Sequence, residues 1–347
     1  MINMLDKIRS RYPIQYINVW IYNKLTGNKN HSDTITIYDT SMDSDNLGDQ
    51  IINFYCNNIF EDMSLNVEKR IPTHRKPTKP ERRLLLPSSL KIITGTNILS
   101  SEMNLLGLWQ RSLNPSHLAH LCLMGTGWNA YSEKENRFTK LFYKTYLDNQ
   151  VFHSVRDSYT ENKLRSMGIE NVINTACPTM WRLTESFCQS IPKTKADFVV
   201  TTITDYHQNK EFDWYMLDTL IKLYKKVYVW IQGRNDLEYL RTYPQFDKLE
   251  CINNTLISYN EILKKDSIDF VGTRLHAGIH ALNHRKRSII ISIDNRAKEV
   301  AKDTNLPVLE RTEVKEKLES YILQEWETQI RIPEDNISIW KQQFEGK

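Results

Sequence analysis

No apolar run in this 347-residue chain approaches the roughly 18 residues needed to span a bilayer, so no transmembrane helix is expected. Gly and Pro number only 11 each, which excludes collagen-like and linker-dominated chains. The five cysteines, Cys56, Cys122, Cys177, Cys188 and Cys251, are odd in number and have no paired spacing. That argues against a disulfide framework or a structural zinc, and fits a reducing compartment. The opening residues meet Asp6 and Arg9 before any apolar core, so no secretory signal is expected. These absences together suggest a soluble, cytoplasmic protein.

Hydrophobic residues make up 40% and charged residues 25% of the chain, a globular composition with enough length for two cores. The net charge of +4 is concentrated. Between Glu68 and Arg83 there are seven Lys or Arg against two Glu, 7 − 2 = +5, which leaves the rest of the chain near −1. Pro72, Pro77 and Pro80 fall in the same window and predict an exposed loop rather than a helix. Such a loop is either a solvated surface or a contact for anionic lipid head groups or a diphosphate-carrying acceptor. Nucleic acid is not expected, because one short basic loop is a small footprint and no finger, winged or stacking motif accompanies it. The leading segment Leu5–Leu25 mixes Ile, Tyr and Trp with Lys7, Arg9 and Arg11. It reads as a packed amphipathic helix, with contact to a membrane surface as the alternative.

Short β-rich runs alternate with helical stretches, the pattern of a parallel α/β sheet. Strands are predicted at Thr34–Tyr38, Leu90–Ile93, Leu118–Leu123 and Val151–Val155, then at Phe198–Ile203, Val227–Ile231, Ile268–Val271 and Ser288–Ser292. The least patterned connection is Trp181–Lys195. Two Rossmann-like domains are therefore predicted, 1–185 and 186–347, with a helical appendage from about 314. In such sheets ligands collect beyond the carboxyl ends of the strands, so chemistry is sought in the residues that follow them.

The strongest element is Ile268–Leu282. A buried strand runs into Gly272-Thr273, then into a helix whose apolar face is Leu275, Ile279 and Leu282. Arg274 and His276 are thereby turned off that face at the first helical turn, where unpaired N–H groups and the helix dipole favour an anion. The Arg fork suits carboxylate or phosphate. After the next strand come Asp294 and Arg296, expected on the same sheet edge. In the first half, Asn46 and Gly48 make a turn ahead of a helix, and Asp49 would cap that helix or act as a base. Gly95 and Thr96 follow another strand, as does the turn Met124–Trp128. Arg156 follows a further strand and opens the next helix.

Three other signals are weaker. His276, His280 and His284 share a helix face at i, i+4 and i+8, but no carboxylate or cysteine ligand is suggested beside them, so no metal is expected. Asp43-Ser-Asp45 matches a short acidic pair used by metal-dependent glycosyltransferases, a tripeptide that arises easily in a polar loop. Glu319 and Glu327 have the spacing of a paired-glutamate signature, yet lie in a charged C-terminal helix rather than after a strand.

Taken together, Asn46-Leu-Gly-Asp49, the Gly95 turn, Val155-Arg-Asp-Ser158 with Leu164 and Gly168-Ile169, Gly272-Thr-Arg-Leu-His276 and Ile293-Asp-Asn-Arg296 resemble the polysaccharide pyruvyl transferase family. The resemblance runs in family order from about residue 35 to 310, and Arg-Leu-His is its most specific part. Thr94-Gly95-Thr96 stands where a run of glycines is common, and Arg296 where many members carry Lys. The resemblance implies two Rossmann-like domains facing a cleft, like the GT-B glycosyltransferases. It also implies transfer of pyruvate from phosphoenolpyruvate, as a ketal, to a sugar of a surface-polysaccharide precursor. The donor would lie against Arg156, Gly272, Thr273, Arg274, Leu275, His276, Asp294 and Arg296. The acceptor, expected to be lipid-linked, would lie against Asn46, Gly48, Asp49, Gly95 and Thr96. His276, Arg274 and Asp49 would be catalytic, with no cofactor beyond phosphoenolpyruvate as co-substrate. A peripheral membrane contact through 68–83 would place the enzyme at the inner face of the membrane. The alternative on the same scaffold is a glycosyltransferase using a nucleotide sugar.

Overall fold

The computed structural model describes residues 12–345 apart from 27–31, 66, 68, 87, 106, 133 and 234. Residues 5–11 of the leading segment and Glu68 of the basic window lie outside the described residues. The chain forms two compact units, one of residues 1–43, 53–178 and 333–347, the other of residues 44–52 and 179–332. The α/β reading holds, since every strand pairing among the described residues is parallel.

In the first unit, β1 (Ser32–Asp39), β2 (Lys69–Pro72), β3 (Ser89–Thr94) and β4 (Leu121–Met124) make a sheet in the order β2-β1-β3-β4. β5 (His153–Val155) pairs with β6 (Val172–Asn174), and single bridges tie Leu121 to Leu147 and Thr126 to Val155. The strand residues Ile93 and Leu123 are fully buried against an aromatic cluster that includes Trp109, Trp128, Phe142 and Tyr143. Lys91, mid-strand in β3, is buried too. Its Nζ donates to the carbonyls of Ser89 and Ala119, both at 2.8 Å, and burial pulls its pKa down to about 7. The last helix, Glu334–Gln342, packs on this unit: Trp340 is buried and its indole N–H donates to the Leu123 carbonyl at 3.1 Å.

In the second unit, six strands follow one another: β7 (Phe198–Thr201), β8 (Lys226–Trp230), β9 (Leu249–Ile252), β10 (Ile268–Gly272), β11 (Ser288–Ser292) and β12 (Val308–Glu310). Their spatial order is β12-β11-β10-β7-β8-β9, the doubly wound arrangement in which the direction of winding reverses between β7 and β10. Buried Arg287 anchors the helix Val314–Leu323 by donating to the carbonyls of Ile322, Tyr321 and Gln324.

Several expectations are corrected. The chain passes between units at 178/179 rather than 185/186, the segment 44–52 belongs to the second unit, and the C-terminal helix returns to the first. The strand expected over Leu118–Leu123 begins only at Leu121, because Pro115 opens a 3-10 turn through Leu118. The strand expected over Val151–Val155 is confined to His153–Val155. β2, β6, β9 and β12 were not foreseen; each has three or four residues and ends its sheet, where half-exposure erases the apolar pattern. The proline-rich window is also more ordered than a loop. Pro72 closes the edge strand β2, and Pro80 sits in the first turn of a helix, Lys79–Leu84, where its missing N–H costs nothing. Thr78 and Glu81 form a capping box there.

Two histidines set a pH limit on this fold. Burial holds His280 down at about 3, with the nearby His284 adding to the shift, and holds His153 down at about 4. Each stays neutral in the folded protein but protonates near 6.5 once unfolded. Stability is then lost as pH falls from 6.5 toward those values, by up to about 1.4 kcal/mol per pH unit for each group. Urea unfolding at pH 7 and pH 5 should show this loss, and His280→Gln should reduce it.

Candidate functional site

The geometry of the second unit converges on the carboxyl ends of β7, β8 and β10. Beyond β7 run Thr202, Thr204, Asp205 and Tyr206; beyond β8, Gln232 and Gly233; beyond β10, Thr273 and Arg274. Asp236, fully buried in the short helix Asp236–Leu240, joins all three. Its carboxylate accepts from Arg274 Nη2 at 2.5 Å, from the Gly233 N–H at 2.7 Å and from the Asp205 N–H at 3.0 Å. Burial pushes the Asp236 pKa up, against the pull of Arg274 and the two backbone donors. Gly233 is required by closeness: a Cβ there would lie 2.4 Å from Arg274 Nη2.

Arg274 is 5% exposed. Besides Asp236 it meets Asp205 at 3.5 Å, and its guanidinium lies 4.9 Å from the centre of the Tyr206 ring. Its Nε is buried and makes no hydrogen bond within the protein. The fork is thus neither idle nor fully used. One edge is fixed by Asp236, and Nε remains to be satisfied. The backbone around it is equally constrained, because the Thr273 N–H donates to the Thr202 carbonyl, the Thr273 and Thr204 hydroxyls lie 2.7 Å apart, and the Arg274 N–H donates to Thr202 Oγ1. Arg274 is the N-cap of the helix Leu275–Asn283 but makes no side-chain cap hydrogen bond to it.

Arg296 reaches the same place from β11. Asp294 caps the helix Asn295–Thr304 and binds Arg296 through Nε at 2.9 Å and Nη2 at 2.5 Å. The Arg296 Nη2 also donates to the Tyr206 hydroxyl at 2.6 Å, with the guanidinium 5.7 Å from the ring centre. Tyr206 thereby gathers two arginines from neighbouring strands. His276, half-buried, stands in the first turn of the helix that follows Arg274, while Leu275 is buried.

The remaining expected residues divide between the units. Asn46, Gly48 and Asp49 belong to the second unit. Asn46 Oδ1 accepts from Gln232 Nε2 at 3.0 Å, and Asp49 accepts from the Ser44 hydroxyl at 2.6 Å. The helix starts at Leu47, so Gly48 and Asp49 lie within its first turn rather than ahead of it. Gly95, Thr96 and Arg156 belong to the first unit, where the Gly127 N–H donates to the Thr96 carbonyl and the Arg156 N–H to the Thr126 carbonyl. Arg156 is buried, bound to Asp157 at 3.2 Å and packed over Gly127, where a Cβ would lie 2.4 Å from its guanidinium carbon. Of the three histidines, His280 is bound to Asn260 at 2.7 Å and its ring lies 4.6 Å from that of His284, which is the C-cap of the helix. Among the described residues no group of three or more His, Cys, Asp or Glu is placed to hold a metal ion. Asp205, Tyr206, Gln232 and Asp236 were missed. Their signal was their position just after β7 and β8, the criterion that found Arg274 and Arg296.

The second unit is thus doubly wound, with Arg274 following β10 at the winding reversal, Arg296 following the neighbouring β11, and half-buried His276 in the helix after Arg274. Residues 46–295 match the sequence model of the polysaccharide pyruvyl transferase family, and the chain belongs to that family. It is accordingly a transferase. No curated protein matches the chain. Among solved structures it is similar to the Methanocaldococcus jannaschii UDP-GlcNAc 2-epimerase (12% identity, 88% of this chain and 98% of that chain, TM-score 0.47). It is also similar to S. aureus MnaA (10% identity, 84% and 91%, TM-score 0.45) and to the lipopolysaccharide outer core galactosyltransferase WaaB (10% identity, 83% and 89%, TM-score 0.47).

The Asp236 hub and the Tyr206 bridge should differ sharply when removed. Asp236→Ala leaves Arg274 buried and without its partner, an expected loss of about 3–5 kcal/mol. Tyr206→Phe removes only a half-exposed hydroxyl and should cost less than about 1 kcal/mol. Chemical denaturation of both variants checks the contrast.

Proposed function

We propose that this transferase moves the pyruvyl group of phosphoenolpyruvate onto two hydroxyls of a surface-polysaccharide sugar, forming a cyclic ketal and releasing phosphate. The observation that carries this reading is the convergence of Arg274 and Arg296 on Tyr206 beside a helix N-terminus without a side-chain cap. A compact substrate bearing carboxylate and phosphate matches two cations and a set of N–H donors. In the reaction as proposed, a proton adds to the methylene carbon of the enol and leaves a cation at C2. A sugar hydroxyl attacks that carbon and loses its proton. The C2–O bond to phosphate then breaks, and a second hydroxyl closes the ring with loss of its own proton. His276 is assigned as the proton donor to carbon, and the arginines as stabilisers of the departing phosphate. The guanidinium pair supplies the positive charge, and the reaction as proposed uses no metal. Asn46, Gly48, Asp49, Gly95, Thr96 and Arg156 are assigned to shaping and binding the substrates. A lipid-linked acceptor would bring the enzyme to the inner face of the membrane.

The test is acceptor-dependent release of inorganic phosphate from phosphoenolpyruvate, with a mass gain on the sugar equal to a pyruvate ketal. His276→Ala should lower the rate by at least about 100-fold. An undiminished rate would remove His276 from the mechanism. Release of a nucleoside diphosphate from a nucleotide sugar would assign the chain to glycosyl transfer instead.

A further inference from the structure

The helix Tyr12–Thr26 of the first unit is apolar on two opposite faces. Val19 and Tyr22 point inward, with the Tyr22 ring 6.0 Å from that of Tyr146 in the core. Ile17, Trp20 and Ile21, at i, i+3 and i+4, form a second apolar stripe that is 52%, 48% and 42% exposed. A helix on the surface of a unit normally keeps its outer face polar, and among the described residues this stripe stays exposed. The helix sequence contains no Asp or Glu.

Beside the helix opens a groove of about 220 Å³ lined by Val19, Leu113, Leu118, Phe138, Phe142 and Tyr146. It adjoins a second cavity of about 380 Å³, and Arg111, Ser112 and Leu113 line both. The second cavity is basic, with Lys76, Arg82 and His117 in its wall and Asn114 as a further polar group. Neither lining includes a carboxylate. The basic window itself is partly neutralised elsewhere. Arg75 is bound by Glu81 and Asp43, and Arg70 by Asp39, while Lys76 and Arg82 face this cavity. Burial, with Arg82 and Lys91 nearby, lowers the pKa of His117, so the positive charge of the cavity comes from Lys76, Arg82 and Arg111.

From this juxtaposition we infer that the first unit docks on a membrane through a phosphate-bearing lipid, whose head group enters the Lys76–Arg82–His117 cavity and whose chain lies in the adjoining groove. Ile17, Trp20 and Ile21 enter the interface alongside. Charge complementarity selects this occupant: a basic, carboxylate-free cavity joined to an apolar groove matches an anionic amphiphile. Trp20, on the exposed stripe, suits the boundary between head groups and acyl chains. The inference is independent of which group the enzyme transfers.

The full chain would be floated with vesicles of phosphatidylcholine, with and without phosphatidylglycerol. Binding only to the anionic vesicles, weakened by salt, is expected. Trp20→Ser/Ile21→Ser and, separately, Lys76→Glu should each bind at least about tenfold more weakly with an unchanged melting temperature. Failure of the unaltered protein to float, equal binding to both vesicle types, or full binding by either variant overturns the proposal. So does a dimer by light scattering that Trp20→Ser/Ile21→Ser converts to monomer, because the stripe would then be covered by a second copy of the chain.

Discussion

A single buried carboxylate holds the candidate site together. Asp236 accepts from a guanidinium and two backbone N–H groups, and those donors come from the ends of three strands of one sheet. Without it, Arg274 would be a cation in a nearly closed space with only the more distant Asp205 as counter-charge. With it, the Arg fork is oriented while its Nε is left unsatisfied. The arrangement resolves two opposing demands. A buried Arg must be paired to be tolerated, and an anion-binding Arg must keep a donor for its ligand.

Strand order determines why these groups meet at all. The winding of the second unit reverses between β7 and β10, so the loops leaving those strands diverge. Tyr206 links the residues that follow β10 and β11, giving its ring to Arg274 and its hydroxyl to Arg296. Charge is thereby concentrated without the arginines repelling one another into solvent, since Asp236 and Asp294 each neutralise one.

The legible part of this site was its local part. Gly272-Thr-Arg-Leu-His276 combines a buried strand, a turn and an amphipathic helix within a few residues, so Arg274 and His276 could be placed from periodicity alone. Asp236 lies 38 residues away from its partner, in a five-residue helix whose sequence carries no distinctive pattern, and such a pairing is not encoded in any local period. The same distinction separates the strands. The fully buried β3, β10 and β11 announce themselves as apolar runs, whereas β2, β9 and β12 are short edges with mixed exposure. Charge counting over Glu68–Arg83 found an excess of cations. It did not show that Arg75 is bound by Glu81 and Asp43, nor that Lys79–Leu84 is a capped helix.

The central proposal is that Arg274 and Arg296, beyond the carboxyl ends of β10 and β11, together bind a small anion. Arg296, less buried than Arg274 and outside the Asp236 hub, can be changed without unpairing a buried charge. Melting temperatures with and without phosphoenolpyruvate, for the unaltered protein and for Arg296→Gln, test the claim most directly. A rise that grows with phosphoenolpyruvate concentration and is largely lost in Arg296→Gln is the predicted result. The same rise in both proteins, or a rise produced by nucleoside diphosphates and not by phosphoenolpyruvate, would contradict it.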